Sequence, residues 1–190
     1  KRGLPNAADD AEASALELRI SVTLARLCRE STGWDKTREA VTQALAMLAR
    51  DGAATSPGAS GDIAAERTTR LERELRRVLV AGAFAAGDPA ALDGEARREP
   101  ADPIAIAART VLGLLRDGSV ERAVERLRQL VNDTREPLGS LLLVRLLEPG
   151  KERDKHLDDA ANSGDPWVSL EAELRRSRDA AGNVGASEGF

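Results

Sequence analysis

Between Asp102 and Pro137 the chain reads DPIAIAARTVLGLLRDGSVERAVERLRQLVNDTREP, and its apolar residues keep one spacing twice over. Ile104, Ala108, Val111 and Leu115 are separated by four, three and four residues, and Val120, Val124, Leu127 and Val131 repeat that order. Steps of three and four match the turn of an α-helix and put each set on one stripe. The punctuation agrees. Asp102 precedes Pro103, so a carboxylate stands where free N–H groups need capping, and proline occupies the first helical position, whose donor would have no partner. Asp117-Gly118 closes the first helix, because glycine adopts the left-handed conformation cheaply, and Ser119 is placed to cap the second. These residues predict a helical hairpin.

Glu136-Pro137 repeats the Asp102-Pro103 pattern 34 residues further on, which is the period of the tetratricopeptide repeat. Gly118 in the turn, Ala123 five residues later, Leu127 and Leu130 on the second helix and the proline near the end resemble a degenerate tetratricopeptide unit. Ala107 and Leu114 stand where that family usually has aromatics. Ala40, Met47 and Leu48 resemble the second helix of such a unit. The run HLDDAANSGDPWVSLEAEL, from His156 to Leu174, is similar to the shorter Sel-like variety, with Ala160, Ala161, Gly164 and Asp165 as its paired alanines and Gly-Asp turn. The resemblance implies a right-handed α-solenoid that binds other proteins.

Aromatic residues are only 2% of the chain and tyrosine is absent, so a core has to be built from Leu, Val and Ala. Sheets favour aromatic and β-branched residues. The expected fold is therefore all-α: antiparallel helical hairpins stacked as a short tetratricopeptide-like solenoid, with an irregular helical bundle as the alternative. A chain of 190 residues is long enough for one proper core or several short helices.

In order, residues 1–10 read as a flexible N-terminus. Residues 11–51 read as a first hairpin, with Leu16, Ile20, Leu24 and Leu27 on one helix and Val41, Ala44, Leu45 and Leu48 on the other. Residues 52–62, GAATSPGASGD, have the composition of a linker. Residues 63–180 read as the tetratricopeptide-like array. It opens with a long charged helix whose Leu71, Leu75, Val78 and Leu79 face the core, with Glu66–Arg70 and Glu72–Arg76 as pairs four apart on its exposed side. Asp88-Pro89, Pro137, Lys151 and Asp165-Pro166 begin further helices. Residues 181–190 read as a flexible tail.

Few residues suggest chemistry. A net charge of −4 gives no electrostatic reason to expect nucleic acid or an anionic membrane. Arg70, Arg73 and Arg77 share a face, but Glu66, Glu72 and Glu74 are interleaved and no aromatic stands near to stack a base. The lone Cys28 excludes an internal disulfide and a multi-thiolate zinc site, and it reads as core. His156 is the only histidine. With Asp158 and Asp159 following, it is the one place to look for a metal or an acid–base pair, and a solvated surface is the simpler reading for both carboxylates. No phosphate-cradling loop is present, so no cofactor is expected, nor an enzyme. No apolar run approaches the roughly 20 residues a membrane span needs. A cytoplasmic location is expected, although a chain opening on Lys1 would not reveal a leader peptide already removed.

The most apolar segment follows Pro137: Leu138, Leu141, Leu142, Leu143, Val144, Leu146 and Leu147, with Arg145 as its only charged residue. In a solenoid the first helix of each pair lines the concave surface. The expected partner-binding residues are therefore Leu112 and Arg116 on the helix from Pro103, and Leu142, Arg145 and Leu146 on the helix from Pro137, taking an extended peptide or an amphipathic helix. The competing reading is a central, fully covered helix. Trp34 and Trp167 read as packing anchors before partner contacts. The expected function is a non-enzymatic adaptor or scaffold. The alternative is a regulatory or oligomerisation segment of a larger protein that self-associates through its leucine-rich helix.

Overall fold

The computed structural model describes residues 33–54 and 59–187, and among these every regular element is helical. The eight helices are α1 (Trp34–Ala54), α2 (Ala59–Ala86), α3 (Pro89–Ala96), α4 (Pro103–Asp117), α5 (Val120–Thr134), α6 (Pro137–Leu146), α7 (Lys151–Ala161) and α8 (Pro166–Ser187). The all-α expectation holds. The helix expected within residues 11–29, with Cys28, lies outside the described residues, as does the expected N-terminal segment 1–10. Helix also reaches further than composition suggested: α1 runs to Ala54 and α2 begins at Ala59, inside the expected linker, and α8 continues to Ser187, inside the expected tail. Alanine is the best helix former, and Ala53, Ala54, Ala59, Ala181 and Ala186 occupy those extensions.

Four helices start in the same way. Asp88 Oδ1 accepts the N–H groups of Ala90 and Ala91, both at 3.1 Å. Asp102 Oδ1 accepts from Ile104 at 3.0 Å, Glu136 Oε1 from Leu138 at 3.2 Å, and Asp165 Oδ1 from Val168 at 2.8 Å. A proline follows each carboxylate, so the chain fixes its first helical φ while the acid satisfies a donor that has no helical partner. The stops are equally local. Gly118 closes α4 at φ 69°, its N–H donating to Leu114 at 2.8 Å. Arg135 closes α5 in the same left-handed region, at φ 54°, with its N–H on Val131 at 2.9 Å. Ser119 stands at the start of α5 as expected, but its side chain makes no capping bond.

The chain divides into two compact units after Leu79, within α2. In the first unit, α1 buries Val41 and Leu48, and α2 buries Leu71, Leu75, Val78 and Leu79, the four residues its stripe predicts. That helix is less exposed on its charged side than expected: Glu74 and Arg76 are also buried. Arg70 pairs with Glu74, at 3.0 Å.

In the second unit each helix from α3 to α8 packs on the next. In addition, α6 touches both α4 and α8. Four neighbours leave α6 almost no solvent face, and residues 138–144 are buried without a break. That is where a helix apolar on all sides has to be placed, because each leucine withdrawn from water stabilises the fold by about 1.5–3 kcal/mol. Small residues bring two of these helices close. A methyl group added to Gly139 would meet Val131 Cγ2 at 2.7 Å, so α5 and α6 are in contact where α6 has no side chain.

Candidate functional site

The five residues expected to line a groove separate in the structure. Leu112 is 5% exposed and Leu142 is fully buried, which corrects the expectation for both: they are core, because α6 is enclosed by its neighbours and α4 turns Leu112 inward. Leu146 is half-buried. Arg116 projects from the last turn of α4, with its side chain 60% exposed and Nη2 at 3.4 Å from Asp93 Oδ1.

Arg145 is occupied within the chain. Its Nη1 donates to the Ala81 carbonyl at 3.2 Å and its Nη2 to Glu171 Oε1 at 3.1 Å, so one guanidinium joins α6 to α2 and to α8. Two further arginines act alike. Arg109 of α4 donates to the carbonyls of Ala96 and Pro100 at 2.9 and 2.7 Å, closing the end of α3. Arg153 of α7, itself buried, donates from Nε to the Val144 carbonyl at 3.2 Å and from Nη2 to Asp179 at 2.5 Å. Val144 lies in the last turn of α6, where carbonyls have no helical donor. A planar, permanently charged fork suits all three positions, since it reaches two acceptors on different elements at once. Their work is to hold helices together.

On the outer surface Arg128 of α5 meets Glu152 of α7 through two parallel bonds, Nε to Oε1 at 2.7 Å and Nη2 to Oε2 at 2.9 Å. The hydrogen bond from Arg128 holds the Glu152 carboxyl below its ordinary range, and Glu152 in turn raises the arginine. Arg176 of α8 bonds Asp158 of α7 and Glu173 of its own helix.

No group of three or more His, Cys, Asp or Glu side chains that could hold a metal ion occurs among the described residues. His156 is buried, 7% exposed, while Asp158 and Asp159 are exposed, as expected of them. Its Nδ1 has no hydrogen-bond partner, and Asp159 Oδ2 lies 4.0 Å away. Burial lowers its pKa against the opposing pull of Asp159 and Glu152. Trp167 is buried, in keeping with a packing anchor, and Trp34 is half-buried.

What sequence reasoning missed is the exposed apolar set. Leu115 and Val120 are 37% and 40% exposed at the tip of the α4–α5 hairpin, Leu170 on α8 is 40% exposed, and Met47 on α1 is 51% exposed. Both tip residues belong to the periodic stripes that predicted burial. Their nearness to Gly118, where the hairpin ends and no further turn covers them, is the signal that distinguishes them.

The described residues thus form an all-helical fold. No described helix is long and apolar enough to cross a membrane. Compared with known proteins, the chain matches no family model, no curated protein and no solved structure.

Proposed function

We propose that this chain is a non-enzymatic adaptor or scaffold, a tetratricopeptide-like stack of helical hairpins that binds a protein or peptide segment. The observation that carries the reading is the packing of α6 against both α4 and α8. Those helices open on Asp102-Pro103, Glu136-Pro137 and Asp165-Pro166, so the first helices of successive pairs lie side by side, which is the relation that builds a solenoid's inner face. With Leu112 and Leu142 in the core, the contact residues on this reading are Arg116 and Leu146, joined by Leu115 at the hairpin tip. A short amphipathic helix with apolar anchors and acidic flanks fits that chemistry.

Selection of a displayed peptide library on the intact chain tests the proposal. The expected outcome is enrichment of peptides with apolar residues at helical spacing beside Asp or Glu, whose binding is lost in Arg116→Glu while the helical signal is kept. Enrichment of nothing, or binding indifferent to Arg116→Glu, would count against it. Self-association through the leucine-rich helix is a weaker reading, because Leu138, Leu141, Leu142 and Leu143 are already covered within one chain.

A further inference from the structure

We infer that His156 is a proton-operated latch on α7, whose protonation in mildly acidic conditions loosens that helix from the array. The argument begins with its environment. An imidazole 7% exposed, with a buried Nδ1 that has no partner, is tolerated while the ring is neutral. Adding a proton places a full charge and a second donor in the same position, and a buried charge without a hydrogen-bonded partner is costly.

The groups around it do not supply that partner in place. Asp159 is nearest, but its Oδ2 is 4.0 Å from Nδ1 and its side chain is 48% exposed, so no hydrogen bond is made without a movement of the ring or of the carboxylate. Glu152, one turn earlier, is held by Arg128 of α5 through two bonds. Lys155 and the Arg128 guanidinium oppose a positive ring. Arg153 on the same helix and Asp179 of α8 are bound to each other. On the remaining faces, Arg145 of α6 is bound to Glu171 of α8, and Arg176 of α8 to Asp158 and Glu173. Arg175 of α8 faces Asp179. The carboxylates of α8 that are named here, Glu171, Glu173 and Asp179, therefore each have a cation of their own.

The sign follows from burial. A histidine whose folded pKa is depressed stabilises the fold fully above the unfolded value near 6.5, and that contribution is lost as pH falls from there through the folded value. Since His156 is the only histidine in the chain, it is the one side chain whose ordinary range lies in that window. The device affects α7 selectively, and with it the two salt-bridged seams that α7 makes with α5 and α8.

The experiment uses the full chain. The His156 ring proton is followed by NMR from about pH 8 to about pH 5, and amide hydrogen exchange is measured helix by helix at both ends of that range, corrected for intrinsic rate. Expected are a titration midpoint below that of free histidine, a further fall in the midpoint in Asp159→Asn, and a loss of protection at acid pH concentrated in α7. The loss should vanish in His156→Gln. A midpoint at or above the free value, unchanged protection in α7, or the same acid response in His156→Gln would overturn the inference. Should His156→Gln not fold, the wild-type midpoint and exchange pattern decide it alone.

Discussion

Alanine at position 139 puts a methyl group where α5 and α6 are closest. The added Cβ would sit 2.7 Å from Val131 Cγ2, 3.6 Å from Leu130 Cδ2 and 3.9 Å from the Leu127 carbonyl. The first distance is well inside van der Waals contact, and the atom it meets belongs to a β-branched side chain that a helix confines to one preferred rotamer. Either α6 moves outward or Val131 leaves its well. Overpacking of this kind costs about 1–3 kcal/mol, and alanine recovers about 1 kcal/mol of that through its better helix propensity. The expected net loss is therefore at most about 2 kcal/mol, read as a lower urea midpoint with the slope unchanged. Val131→Ala removes the obstructing methyl, so the double variant should regain about 1 kcal/mol relative to the sum of the single changes. Gly139→Ala more stable than wild type, or additivity between the two sites, would refute the close approach.

Three other outcomes are expected. Leu142→Asp buries a carboxylate among leucines with no partner, and should abolish the cooperative thermal transition instead of selectively removing partner binding. Arg153→Ala leaves the Val144 carbonyl and Asp179 without their shared donor, for a loss of about 1.5–3 kcal/mol in chemical unfolding, and Arg153→Lys, which cannot reach both acceptors, should restore only part of it. Glu152 has a folded pKa below its unfolded value, so its contribution is present above the ordinary carboxylate range and is lost as pH falls through the lowered value. Glu152→Gln should flatten the acid limb of a stability–pH profile, and added salt should weaken the wild-type effect.

Helix starts were legible because they are local: an acid followed by proline specifies a cap and a first φ without reference to the rest of the chain. Asp88, Asp102, Glu136 and Asp165 all cap as that logic requires. The stripe of α2 was legible for the same reason. Where Leu142 points was not. A helix apolar all round announces that it will be covered, yet the covering helices α4 and α8 come from distant parts of the sequence. The clamps were invisible for a different reason: Arg109, Arg145 and Arg153 bond backbone carbonyls of Ala96, Ala81 and Val144, and a carbonyl leaves no mark in the side-chain alphabet. Gly139 did leave one, since a glycine inside an apolar helical run asks what lies close to it.

The enclosure of α6 on every side also determines how the molecule fails. Any departure of α7 or α8 uncovers part of residues 138–144, a continuous greasy ribbon lacking acidic or basic residues, and that is the kind of surface chaperones and proteases recognise. Damage at the rim of the second unit therefore reaches its centre in a single step, so cellular abundance of variants should track the grip of those outer helices more closely than any change on the faces that meet water.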